Sequence, residues 1–188
     1  MAPSLVGIRA AAAVLLAVGP LHAQDPPKAP EYRIKAAFLY NFTLYTEWPA
    51  SAFNQPDSPI VVAVVGEDPF GKELDAAVRG KTVRGRTIEV RRFGRAGDVE
   101  ACHLLFLTDS LAKDLPQILG KVSDGGPLTV GETEDFTRAG GVIRFFVEEN
   151  KVRFEVNTDA AARARLKLSS KLLQLARIVR DPNSPKDR

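Results

Sequence analysis

Gly66-Glu67-Asp68-Pro69-Phe70-Gly71-Lys72-Glu73 has the G-x4-G-K spacing of a phosphate-binding loop. In such a loop, backbone N–H groups cradle phosphate and a Ser or Thr after the Lys holds magnesium. Here Glu73 stands in the magnesium position. Glu67 and Asp68 repel phosphate, and Pro69 lacks an N–H. The segment therefore reads as a strand-to-helix turn, with Asp68 capping the helix and Pro69 at its first position. Cys102-His103 is the second pair able to do chemistry. Neighbours in a strand point to opposite faces, so this imidazole does not serve that thiol as base. The pair reads as a shielded thiol and a strand-end imidazole. One Cys excludes an internal disulfide, and one Cys with two His cannot close a structural zinc site. No Ser-His-Asp order, paired-carboxylate motif or HExxH is present. No catalytic residue, metal ligand or cofactor is assigned.

Binding chemistry has more material. Tyr32, Phe38, Tyr40, Phe42, Tyr45 and Trp48 crowd one segment, more than a single apolar stripe buries. Its polar-edged members, Tyr40, Asn41 and Trp48, are candidate contacts for a partner or ligand. A second candidate surface is cationic: Arg163, Arg165, Lys167 and Lys171 fall within nine residues. Between residues 79 and 95, Arg79, Lys81, Arg84, Arg86, Arg91, Arg92 and Arg95 stand against Glu89 alone. They alternate with Val83, Ile88, Val90 and Phe93, which reads as a solvated strand surface. A formal charge of +3 is too mild to argue for nucleic acid, and that run lacks a stacking platform.

These residues need a scaffold. At 188 residues with 45% hydrophobic and 26% charged side chains, the chain suits one globular domain. Residues 1–23 read as a secretory signal: Arg9, the apolar run Ala10 to Val18, a Gly19-Pro20 break and Ala23 at the cleavage site. That run is too short to span a bilayer. Cleavage there leaves His103 as the only histidine of an exported chain. Residues 24–30 (QDPPKAP) form an extended spacer, 31–180 the domain, and 181–188 a frayed tail.

Within the domain, Glu31 to Tyr45 has helical spacing. Ile60–Val65 and His103–Leu107 read as strands buried on both faces. Thr87–Arg91 and Pro127–Val130 are further strands. Val142–Val147 and Lys151–Val156 form a hairpin turning at Glu149-Asn150. Helices are expected over Lys72–Val78, Ser110–Leu119, Asp159–Arg165 and Ser170–Arg180, the last capped by Ser169. Alternating strands and helices predict a Rossmann-like α/β layered sandwich: a mixed sheet of five or six strands with helices on both faces.

Three stretches together resemble the YfiR family. They are Lys35-Ala36-Ala37-Phe38-Leu39-Tyr40-Asn41-Phe42 with Glu47-Trp48-Pro49; Val65 to Gly71; and the series from Leu128-Thr129-Val130-Gly131 and Gly140-Gly141, through Val152 to Asn157, to Leu166–Leu173 and Leu175–Val179. The resemblance covers about residues 31–180. It implies an exported, non-enzymatic protein of the Gram-negative periplasm. It further implies a repressor that holds an inner-membrane diguanylate cyclase inactive through the cyclase's periplasmic sensor domain, and a homodimer. Cys102 matches a common family cysteine but has no partner in this chain. A different membrane sensor protein as partner, or a small ligand in a pocket near the aromatic residues, is the alternative expectation.

Overall fold

The computed structural model describes residues 28–122 and 124–181. The expected signal segment, the start of the spacer and residues 182–188 lie outside them. Among the described residues five α-helices and ten strands follow one another: α1 (Lys28–Leu44), β1 (Thr46–Glu47), β2 (Ile60–Val65), α2 (Lys72–Val78), β3 (Thr82–Val83), β4 (Arg86–Phe93), β5 (Leu104–Leu107), α3 (Leu115–Val122), β6 (Leu128–Gly131), β7 (Ile143–Glu148), β8 (Lys151–Asn157), α4 (Thr158–Arg163), β9 (Lys167–Leu168), α5 (Ser170–Leu175) and β10 (Arg177–Val179). Eight of the strands form one mixed sheet in the order β10-β8-β7-β6-β5-β2-β4-β3, and β1 pairs with β9 apart from it.

The central strands β4, β2, β5, β6 and β7 run parallel in a doubly wound order. Every residue of β2 and β5 is buried, as their unbroken apolar runs demand. Side chains alternate between two cores. Val62, Val64, Leu104 and Phe106 face α1, α2 and the residues of α4. Ala63, Val65, Leu105 and Leu107 face α3 and Phe136. The layered sandwich with helices on both faces is therefore as the sequence predicts. Phe42 fixes α1 to the sheet: its ring stacks on Phe145 at 5.4 Å and meets Phe154 edge-on at 5.1 Å. Phe136 plugs the other core, and only glycine fits beside it. A Cβ at Gly131 or Gly141 would lie 2.3 or 2.1 Å from its ring.

Several boundaries differ from expectation. The sheet has eight strands rather than five or six, because two short edge strands, β3 and β10, escape the periodicity reading. The expected helix Ser170–Arg180 stops at Leu175, and its last residues become β10 beside β8. Cross-strand pairing there overrides a helix-like spacing of leucines. α1 begins at Lys28, inside the expected spacer, with Pro30 in a first turn where a missing N–H costs little. The helix expected from Ser110 is a single 3-10 turn over Asp109–Leu111, and α3 starts at Leu115. Asp68 does not cap α2. It closes its own turn by accepting the Phe70 N–H at 2.8 Å, and Gly71 precedes the helix. The hairpin is as expected, with Glu149 and Asn150 both at positive φ (52° and 58°).

Candidate partner- and ligand-binding site

The acidic groups and a carbonyl of the G-x4-G-K turn bind an arginine side chain. Arg92 of β4 donates to Asp68 at 2.6 Å, to the Gly71 carbonyl at 2.9 Å and to Asp75 at 2.6 Å. The basic run of residues 79–95 is partly neutralised in the same manner. Arg91 pairs with Glu89 and Glu100, Arg84 with Glu47, and Arg95 with Asp98. These are exposed pairs that contribute little to stability, and Arg79, Lys81 and Arg86 make no ion pair among the described residues.

The aromatic exit of α1 is tied down by one buried histidine. His103 is 7% exposed. Its Nδ1 accepts the Val61 N–H at 3.0 Å, and its Nε2 lies 3.1 Å from the Ala52 carbonyl. That pair of contacts defines the neutral tautomer with the proton on Nε2. Phe53 stacks on the ring at 4.5 Å, and Trp48 meets it edge-on at 5.9 Å. The Trp48 indole N–H donates to the His103 carbonyl at 2.9 Å. Both ring nitrogens are thus engaged in backbone hydrogen bonds, and neither serves Cys102. Burial pushes the Cys102 thiol up to about 12, against a weaker opposing pull from Arg91. At pH 7.5, iodoacetamide is expected to alkylate Cys102 at least about tenfold more slowly than free cysteine, since only the thiolate reacts. Alkylation as fast as free cysteine would show an activated thiol.

Trp48 also lines a cleft of about 1010 Å³. Its floor is Leu105 and Leu107, its walls Val99, Ile118 and Val122, and Cys102 opens onto it. The cause is topological. Right-handed crossovers place the β4–β5, β5–β6 and β6–β7 connections on one face of a doubly wound sheet. Among the described residues α3 is the only α-helix of those three connections. The β4–β5 crossover holds just a 3-10 turn, Ala96–Asp98, where a helix would cover the apolar strands.

The candidate residues divide. Trp48 and Lys167 become neighbours along the backbone only, because β1 and β9 pair Glu47, the residue before the tryptophan, with Lys167. The Ser169 N–H donates to the Tyr45 carbonyl at 2.9 Å and locks that clip. Tyr40 turns to the other side of α1, with the Lys81 ammonium 4.1 Å from its ring centre. Asn41 is half-buried, and its carbonyl accepts the Tyr45 N–H at 2.9 Å. Arg163, at the end of α4, pairs with Asp181, which the Asn157 side chain also holds at 2.8 Å. Residue 181 is thus anchored rather than part of a frayed tail. Arg165 and Lys171 are exposed.

Two features escaped the sequence reading. One is the His103 clamp. The other lies at the carboxyl end of the parallel strands, where Lys35, Glu31, Glu132 and Tyr32 gather. Burial, with the negative charge of Glu132 beside it, raises the Tyr32 pKa.

A family model described as YfiR/HmsC-like matches residues 32–177, from the first turns of α1 to the start of β10. The chain belongs to the YfiR/HmsC-like family. This family is periplasmic and regulatory, acting on diguanylate cyclases, and is not a catalytic one. No curated protein matches the chain. The YfiR/HmsC-like match spans both cores, the His103 clamp and the β1–β9 clip, so the surfaces described above belong to the family domain itself.

Proposed function

We propose that the mature chain is a periplasmic regulator that holds a membrane-bound diguanylate cyclase inactive by binding the cyclase's periplasmic sensor domain. The observation that carries this reading is the family match over residues 32–177. The charged start and apolar run before Ala23 supply the route of export. The chain acts by population shift, binding the inactive conformation of the sensor more tightly than the active one. Moving that equilibrium from about 1:99 to 99:1 takes roughly 5.5 kcal/mol of differential affinity. A homodimer offering two copies of one face supplies part of it through avidity.

Deleting the gene is expected to raise cyclic di-GMP and surface attachment, and restoring the exported form should reverse both. Unchanged cyclic di-GMP, with no membrane protein recovered on the tagged chain, would refute the regulator reading. A second reading, a small-ligand sensor, is favoured by the apolar cleft beside Trp48. Its volume suits a compact ligand. Micromolar binding of a small molecule without any partner protein, seen by calorimetry and lost in Trp48→Ala, would support it.

A further inference from the structure

The sheet ends on an unusual edge. β10 is three residues long, runs parallel to β8, and has no strand on its outer side among the described residues. An open edge presents unpaired N–H and C=O groups to any extended chain. Residues 160–180, which lead into and include this edge, hold Arg163, Arg165, Lys167, Lys171, Arg177 and Arg180 and no Asp or Glu. Arg177 is drawn inward to Glu148 at 2.7 Å, and Arg163 pairs with Asp181. Arg165, Lys167, Lys171 and Arg180 make no ion pair among the described residues. Apolar side chains stand out in the same segment. Leu175 is 70% exposed and Ile178 45%. Ile178 lies on the α1 side of the sheet, in register with Val156, while Arg177 lies on the opposite side.

We propose that the outer edge of β10 is a docking site for an extended, acidic segment of the partner protein with alternating apolar residues, which adds to the sheet as a ninth strand. The inference rests on the partner-binding reading above and names the mode of contact. Main-chain hydrogen bonds supply affinity in strand addition, and alternate side chains supply specificity. The charge pattern selects the occupant. Two copies of this edge paired antiparallel would bring Arg177 and Arg180 of one close to those of the other, and like charges in cross-strand positions destabilise. An acidic strand meets the same cations favourably. Charged residues on an edge also block self-association, and here the exposed Leu175 and Ile178 leave an apolar foothold that a blocked edge lacks.

The test uses the exported chain and a fluorescein-labelled ten-residue peptide alternating Glu and Val, read by anisotropy. Two comparators separate the contributions. A Lys-Val peptide reverses the charge, and a Glu-Pro peptide keeps the charge but cannot add as a strand. The Glu-Val peptide is expected to bind at least about tenfold more tightly than either. Lys171→Glu with Arg180→Glu, two cations outside any ion pair, should weaken binding by a similar factor at unchanged melting temperature. Amide exchange should slow at residues 177–180 on binding. Equal affinity for the Glu-Pro peptide, indifference to the charge reversal, or slowed exchange elsewhere would overturn the site. So would sedimentation showing a dimer that the charge reversal strengthens, since the edge would then serve a second copy. If gene deletion raises cyclic di-GMP while the peptide fails to bind, the β10 site alone is wrong. If the peptide binds while deletion leaves cyclic di-GMP unchanged, the regulator reading is wrong and the edge stands.

Discussion

Replacing Lys35 by Met is expected to lower the unfolding free energy by about 3–5 kcal/mol at pH 7, the usual cost of removing one partner from a buried ion pair. The Lys35 side chain is 3% exposed and its ammonium lies 2.7 Å from Glu132, itself 13% exposed. Glu31 pairs with the same ammonium, and the Tyr32 ring centre lies 4.6 Å from it. The Tyr32 hydroxyl donates to Glu132 at 3.1 Å, while the other Glu132 oxygen is buried without a hydrogen-bond partner among the described residues. Glu31 can turn to solvent once the ammonium is gone, and Glu132 cannot. Burial already raises the Glu132 pKa, with the Lys35 and Tyr32 hydrogen bonds opposing it. Without Lys35 the rise grows. A carboxyl with a raised folded pKa binds its proton more tightly folded than unfolded, so folding gains as pH falls through that pKa. The deficit of Lys35→Met should therefore shrink on acidification. The double variant with Glu132→Gln should recover most of the loss at pH 7. Urea denaturation at pH 7 and pH 5 checks all three expectations. An equal deficit in the single and double variants would mean that packing, not charge, is what Lys35 supplies.

The reason this cluster was invisible in the sequence is separation. Lys35 and Glu132 lie 97 positions apart and meet only because α1 crosses the ends of the parallel strands. The local signals were strong where structure is local. Unbroken apolar runs gave β2 and β5, period-two alternation gave β7 and β8, and Glu149-Asn150 gave their turn. They weakened where a neighbour decides the conformation. Arg177–Val179 continues a leucine-rich helical spacing, and only the exposed flank of β8 makes it a strand. The same holds for the binding candidates. Trp48 and Lys167 were read as parts of two separate surfaces, and the β1–β9 pairing of Glu47 with Lys167 brings their backbones near one another. The basic run of residues 79–95 was read as solvated surface from its alternation with apolar residues, and its pairing with Asp68, Asp75, Glu47 and Glu100 joins residues too distant in the chain to be read there.

Replacing His103 by Ala is expected to cost about 3 kcal/mol, part of it the roughly 1–3 kcal/mol of stranding a buried donor, the rest lost aromatic packing. The stranded donor is the Val61 N–H, and the packing partners are Phe53 and Trp48. The pH dependence is the sharper test. Burial holds the His103 pKa below its ordinary 6.5, and the Arg86 guanidinium adds to the effect, against the hydrogen bond to the Ala52 carbonyl. The native state therefore keeps the imidazole neutral, while the unfolded chain protonates near 6.5. Below that pH the unfolded state binds more protons, so stability falls as the medium acidifies. The loss begins near pH 6.5 and ends at the lower folded pKa, whereas Asp181 and Glu155, whose carboxyls are held below their ordinary values, cost stability only at greater acidity. His103→Gln can still accept from Val61 but does not titrate, so its melting temperature should lack the decline that the wild type shows between pH 7.5 and 5.5. Trp48, the chain's single tryptophan, touches the imidazole and reports the transition by its own emission. Parallel pH profiles for the two proteins would show that another group governs the acid limb. A wild-type decline absent from the Gln variant would place it on this histidine, which holds Trp48 and the Ala52 wall of the cleft in place.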